Sequence, residues 1–148
     1  MHLTLQSDYA LRILMYLALV PDRIVPVAEI ASAYKISRHH LLKIQHLLTE
    51  QQFVAAIRGR SGGLRLNRQP EDIRIGAVVR ATEPNFTLVE CFDRRTDTCP
   101  ITPLCSLKAT LEGAVDDFLK HLDGITIADV VNQNRDRLRG RIVRTPRA

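Results

Sequence analysis

Residues 26–66, PVAEIASAYKISRHHLLKIQHLLTEQQFVAAIRGRSGGLRL, decide the fold. Pro26 opens a short helix, Val27 to Tyr34, at a position where a missing backbone N–H does no harm. Lys35-Ile36-Ser37 then leaves room only for a tight turn, and Ser37 can cap a longer helix from Arg38 to about Gln51. Two helices joined by three residues have the helix-turn-helix spacing. At about 100° per residue, the second helix places Leu41, Ile44, Leu47 and Leu48 on one core-facing arc, with His40 bordering it. Arg38, His39, Leu42, Lys43, Gln45, His46 and Thr49 fall opposite. Leu42 leaves the apolar pattern for the polar side. A groove-facing helix offers such a side chain the methyl group of thymine, although a single exposed leucine also needs no explanation.

Phe53 to Ile57 reads as a strand, Arg58-Gly59-Arg60-Ser61-Gly62-Gly63 makes a turn, and Leu64-Arg65-Leu66 returns. A glycine-rich, arginine-bearing hairpin directly after a helix-turn-helix reads as a wing. Arg58, Arg60 and Arg65 are each, taken singly, ordinary solvated charges. Together on a wing they are placed to meet phosphates or a minor groove. With Ser37, Arg38, His39, Leu42 and Lys43 they form the candidate DNA-binding set.

Upstream, residues 7–19 read as a helix capped by Ser7, with Asp8 at the positive end of the dipole. Its sides are apolar nearly all round, so burial on more than one side is expected, one of them by a second subunit. Asp8 and Arg12 stand one turn apart on its polar strip, where they can pair. Downstream, a short helix from Gly76 to Thr82 ends at Pro84. Thr102-Pro103 is a strong helix start, and Leu104, Leu107, Leu111, Ala114, Val115, Phe118, Leu119 and Leu122 make one apolar stripe before Gly124. A helix of this length, roughly 30 Å, is large beside so small a domain and predicts pairing with its copy. Thr126 to Val131 is a short strand or helix packing back on the body.

The expected architecture is mainly α with a small β-hairpin wing. A winged helix-turn-helix domain spans 1–83, a loop 84–102, a dimerisation helix and return segment 103–131, and a basic, flexible tail 132–148. The tail carries Arg135, Arg137, Arg139, Arg141, Arg144 and Arg147. Solvation is its simplest reading, and weak non-specific DNA contact the sharper one.

Charge refines this picture. The chain of 148 residues carries a formal +5, which equals the charge of residues 132–148 alone, so the overall value says little. Residues 35–68 carry +6 with Glu50 as their one acid, and that block coincides with the second helix and the wing. No apolar run approaches the roughly 20 residues of a membrane span. The N-terminus lacks a signal-peptide pattern, so a cytoplasmic, reducing setting is expected. No Gly-rich phosphate loop, nucleophile elbow or metal-spaced histidine pair suggests an enzyme.

All three cysteines, Cys91, Cys99 and Cys105, lie within fifteen residues, with gaps of seven and five. That is an odd disulfide framework and a plausible metal or cluster site, since thiolates are soft ligands suited to iron–sulfur, zinc or Cu(I). Cys105 is expected in the first helical turn, where the dipole favours its thiolate. Three sulfurs leave a fourth position for a weaker, more easily displaced ligand.

These residues together resemble the NsrR/IscR family of winged-helix iron–sulfur regulators over nearly the whole chain. The resemblance rests on Tyr9-Ala10, Val27-Ala28-Glu29-Ile30-Ala31 with Ile36-Ser37, and Arg58 to Gly63. Asp72-Ile73 before Gly76, the clustered cysteines and the long helix after them complete it. The cysteine spacing is similar to that of the nitric-oxide-sensing branch. The iron–sulfur-status branch carries a histidine just after the third cysteine, whereas here Lys108 stands three residues on and the next histidine is His121. The resemblance implies a homodimeric repressor of a palindromic operator. It also implies an iron–sulfur cluster, 4Fe–4S rather than 2Fe–2S, on Cys91, Cys99 and Cys105, with Asp8 of the other subunit as fourth ligand and nitric oxide as the signal. The competing expectations are a zinc- or disulfide-based redox regulator and an iron–sulfur-status regulator.

Overall fold

The computed structural model describes residues 2–143. In order it forms α1 (Leu5–Leu19), α2 (Val27–Tyr34), α3 (Arg38–Glu50), β1 (Val54–Ile57), β2 (Gly63–Leu66), α4 (Ile75–Thr82), α5 (Ser106–Asp123), α6 (Ile127–Asn132) and α7 (Arg135–Ile142). Single turns of 3-10 helix stand at Pro70–Asp72, Glu90–Phe92 and Thr102–Leu104. The fold is mainly α with one two-stranded antiparallel wing, as the sequence indicates.

Helix α1 is the hub. Ala10, Ile13, Leu14, Tyr16, Leu17, Ala18 and Leu19 are buried, packed against α3, β2, α4, α6 and α7. Each fully buried large aliphatic here contributes about 1.5–3 kcal/mol. The elements that cover these residues belong to the same chain, with α4, α6 and α7 folding back over the helix, while Leu5 at its start stands 63% exposed.

α1 also starts earlier than expected. Thr4, not Ser7, is its N-cap, and the Thr4 hydroxyl accepts from the Ser7 N–H. The buried Ser7 hydroxyl instead lies 2.7 Å from Thr82 Oγ1 and donates to the Glu83 carboxylate. Glu83 Oε1 accepts as well from Thr4 N at 2.8 Å and Thr4 Oγ1 at 3.0 Å. Burial pushes the Glu83 carboxyl up, but the hydrogen bonds from Ser7 and Thr4 outweigh it and hold the group below its ordinary value. A carboxylate lowered in the folded state stabilises the fold above its unfolded pKa and loses that contribution as pH falls through the folded one. Ser7→Ala is therefore expected to cost about 1–2 kcal/mol at neutral pH, by taking one buried hydrogen-bond partner each from Thr82 and Glu83. The deficit should shrink as pH falls below the usual carboxylate range, which urea unfolding across a pH series would read. A deficit independent of pH would separate Ser7 from the Glu83 charge.

The second half of the chain closes on the first through backbone pairing. Ile75 N donates to Ile125 O at 2.9 Å and Ile127 N to Ile73 O at 2.9 Å, around a bridge between Arg74 and Thr126. The segment after α5 resolves as a helix because Thr126 and Asp129 form a reciprocal capping box. Arg80 grips Asp123 with two hydrogen bonds, 2.5 and 2.8 Å, fastening α4 to the end of α5. Gly76 is what lets this happen, since a Cβ there would stand 2.0 Å from Asp123 Oδ1.

One expected boundary shifts. Thr102-Pro103 starts a 3-10 turn rather than α5, which begins at Ser106 after an extended Cys105 (φ −83°, ψ 106°). The loop thus runs three residues further than expected and includes the third cysteine. The apolar stripe of α5 is covered only toward its C-terminal half. Val115 and Leu119 are buried, whereas Leu107 is 61% exposed and Leu104, in the preceding turn, 94%.

The tail is corrected too. Residues 135–142 form α7, with Leu138, Ile142 and Val143 packed on the core. Arg135 NH1 donates to Ala18 O at 3.1 Å, satisfying a carbonyl in the last turn of α1. Arginine is a good helix former, and three apolar contacts suffice to dock a short helix whose composition reads as a solvated tail. Arg144 and Arg147 lie outside the described residues.

Candidate functional site

The helix-turn-helix turns at Lys35, whose left-handed backbone (φ 55°) ends α2. Ile36 N closes the turn by donating to Ala31 O at 2.9 Å. Ser37 occupies the N-cap of α3 but makes no side-chain bond to the helix. Leu41, Ile44 and Leu48 face the core, while Arg38, His39, Leu42, Lys43 and His46 are exposed. His40, expected at the border of the core, is exposed as well.

The wing pairs Val54 with Leu66 through Ile57 with Gly63. Its tip turns on Gly59, where φ is +112°. What fixes the wing against the helices is a third extended residue that sequence reading missed. Val25 N donates to Leu64 O, and Leu64 N to Val25 O, both at 2.8 Å. This approach demands glycine at position 63, because a Cβ there would stand 2.4 Å from Val25 O. The paired glycines Gly62-Gly63 were the available signal, and only one positive φ was needed from the turn.

Between the start of α2, α3 and the wing lies an open groove of about 550 Å³, lined among others by Arg38, Leu42, His46, Thr49 and Arg58. The structure thus brings Arg38, Leu42 and Arg58 together. Lys43 lies elsewhere, lining with Leu5, Gln6, Tyr9, His40 and Ile44 a dimple of about 190 Å³ beside α1. His39, Arg60 and Arg65 are exposed outside both linings. Glu50, the one acid of this basic block, faces His46 at 3.2 Å toward the far end of α3. The arrangement presents a cationic helix start and cationic wing flanking an exposed leucine, which suits a DNA groove between two phosphate backbones.

The cysteines stand on the loop joining this head to α5. Cys91 is in the 3-10 turn Glu90–Phe92, and Cys105 is the N-cap residue of α5 rather than part of its first turn. All three thiols are free and half-buried. Asp97 Oδ1 organises the middle of the loop, accepting from Cys99 N at 3.1 Å and from Thr102 Oγ1 at 2.9 Å. Thr96 Oγ1 donates to Glu90 O at 3.1 Å, closing the loop near Cys91. Among the described residues no group of three or more His, Cys, Asp or Glu side chains converges as a metal site. The donor set nevertheless fits an iron–sulfur cluster in its chemistry: three unpaired soft ligands on an irregular, partly open loop.

Asp8 is not gathered with the cysteines. Its carboxylate accepts from Arg12 Nε at 2.8 Å and NH2 at 2.7 Å, one turn along α1. The Arg12 guanidinium in turn lies 5.6 Å from the Tyr9 ring centroid and 5.8 Å from that of Tyr34. Burial pushes the Tyr34 hydroxyl up to about 12, against the lowering by Arg12. Tyr34 therefore remains a neutral face for that cation.

Comparison with known proteins adds three findings. A family model described as Rrf2, iron-dependent transcriptional regulator, matches residues 3–133. The chain is 46% identical over 140 residues to the HTH-type transcriptional regulator NsrR of Shouchella clausii, covering 94% of this chain and 93% of that one. It is 44% identical over 137 residues to NsrR of Bacillus subtilis, covering 92% and 94%. Among solved structures it is similar to IscR of T. potens, with TM-score 0.74 at 22% identity over 93% of this chain and 90% of that one. It is also similar to CymR, the global cysteine regulator of B. subtilis, with TM-score 0.68 at 25% identity over 90% and 98%. Among the described residues no helix is long and apolar enough to cross a membrane.

Proposed function

We propose, given that this chain belongs to the Rrf2 family of winged-helix transcriptional regulators, that it is a homodimeric repressor that binds an iron–sulfur cluster and responds to nitric oxide. The observation that carries this reading is the placement of the chain's three cysteines. All are free, and all lie on the one loop between the DNA-binding head and α5. Relatives 42–46% identical over most of the chain are NsrR regulators.

Cys91, Cys99 and Cys105 would hold the cluster, with Asp8 of the partner subunit as the fourth, weaker ligand. A four-iron form is favoured, since no histidine follows Cys105 closely. When bound, the cluster supplies iron with which nitric oxide reacts. The chain's own residues do the rest. The exposed stripe through Leu104 and Leu107 supports pairing of α5 with its copy, which sets the spacing of two α3 helices on a palindromic operator. Ser37, Arg38, His39 and Leu42 address the major groove, with Lys43 at its edge on the side of α3 toward α1, while Arg58, Arg60 and Arg65 address phosphates and the adjoining minor groove. Arg12 competes for Asp8: the bidentate pair seen within one protomer is the resting place of that carboxylate once the loop releases it. A change of about 1.4 kcal/mol in head placement alters operator occupancy tenfold.

The test is anaerobic purification, iron and sulfide counts, and nitric oxide titration of the protein on duplexes it selects from random sequence. A brown protein that releases DNA on titration supports the reading. A colourless zinc protein or a reversible disulfide would replace it with a redox regulator. Asp8→Ala should retain iron yet change the visible spectrum and the nitric oxide response. Should both stay as in the wild type, the tie between subunits is wrong.

A further inference from the structure

We propose that α7 is a second DNA-contacting surface that engages the phosphate backbone of duplex flanking the operator. The inference rests only on the DNA-binding half of the reading above, not on the cluster. The family match ends at residue 133, so α7 stands outside it. Residues 132–148 carry +5 with Asp136 as their single acid, the densest charge in the chain.

The helix divides its arginines by role. Arg135 is committed to structure, donating to Ala18 O at 3.1 Å and, through NH2, to Asn132 Oδ1 at 2.9 Å. Leu138 and Ile142 share its side of the helix and pack on the core. Arg137, Arg139 and Arg141 are exposed, and none makes an ion pair among the described residues. Arg137 and Arg141 lie one turn apart on one flank of the docked face and Arg139 on the other, as the helical repeat requires. A cationic row held on a packed helix loses less freedom on meeting phosphates than the same charges on a loose tail.

The docking point gives the partner. Arg135 fixes α7 at the last turn of α1, and from Ala18 the chain runs directly to Val25, which is bonded to Leu64 beside the wing turn. The start of α7 is thus fixed at the α1 end of the connection that leads to Pro26, which lines the groove with Arg38 and Arg58, and the proposal puts the free arginines on duplex leaving that groove. Glu29 already takes the one arginine of the intervening connection, Arg23, at 3.0 Å. Guanidinium groups suit phosphate oxygens bidentately.

The experiment measures DNA affinity of the full-length protein, purified without oxygen, across a salt series. It uses one duplex trimmed to the selected operator and one extended by about a helical turn, 10 base pairs, on each side. The wild type should bind the extended duplex at least about tenfold more tightly, with a steeper salt slope. Arg137→Gln with Arg141→Gln should remove that advantage and lower the slope by about 0.9 per lost phosphate contact, leaving the trimmed duplex unchanged. Arg137→Lys with Arg141→Lys should keep most of the slope. Equal wild-type affinity on both duplexes would overturn the proposal, as would equal losses on both in the Gln variant. A general loss of DNA binding by the wild type would instead sink the regulator reading on which it stands.

Discussion

Cys99→Ser is expected to leave a folded protein that holds little or no iron. Cys99 is the middle of the three thiols and half-buried on a loop, so its side chain supports no core packing. Thermal unfolding should therefore match that of the wild-type apo-protein. Serine offers a hard, protonated oxygen where a soft thiolate is needed, and two remaining sulfurs do not secure a cluster. The backbone of the site stays in place, because Asp97 holds the Cys99 N–H and the Thr102 hydroxyl whatever side chain follows. Iron content after anaerobic reconstitution should fall by about tenfold or more, and DNA affinity should become insensitive to nitric oxide. A variant with full iron content, or one that still releases DNA with nitric oxide, would remove the cysteine loop from the mechanism.

The second large effect concerns the wing. Gly63→Ala places a methyl 2.4 Å from Val25 O, 2.6 Å from Val25 C and 2.9 Å from Pro26 N. These are backbone atoms and cannot rotate aside. The wing must separate from Val25, losing two hydrogen bonds of 2.8 Å and shifting Leu64, which is fully buried. We expect a loss of about 2–4 kcal/mol in stability. DNA affinity should fall by about ten- to a hundredfold, because Arg58 and Arg60 no longer sit at a fixed distance from α3. Gly113→Ala is the control: nothing lies within 4 Å of its added methyl in α5, and alanine is the better helix former by roughly 1 kcal/mol. Urea unfolding and DNA titration of the two variants side by side make the comparison. Wild-type behaviour of Gly63→Ala would mean that the wing is not clamped by Val25.

Sequence reading recovers what is encoded locally. The bounds of α2 and α3 follow from Pro26, the three-residue turn and Ser37, and the hairpin from its apolar run and glycines. It fails where a distant partner decides. Thr4 and Ser7 are both able to cap α1, and the choice falls to Glu83, far along the chain, which draws Ser7 inward. Thr102-Pro103 carries a true start signal, but it is spent on a 3-10 turn before Cys105 extends. α7 offers few apolar residues, and its docking depends on Ala18 O. Of the candidate site, the sequence makes legible the clustering of the three cysteines along the chain, since there are no other thiols; their convergence is not seen among the described residues. The role of Val25 was not legible, since a single extended residue in a loop has no periodicity to read.

The self-sufficiency of α1 bears on how the assembly is made. Its buried residues are covered by elements of their own chain, whereas Ile101, Leu104 and Leu107, before and in the first turn of α5, stand 61%, 94% and 61% exposed. Maturation then separates into two stages with different kinetic orders. Each head can complete its core as a unimolecular event, and only the pairing of two chains, through α5 under the proposal above, scales with how much protein a cell has accumulated. At low abundance the regulator would be scarce as a pair while every polypeptide in it was already sound.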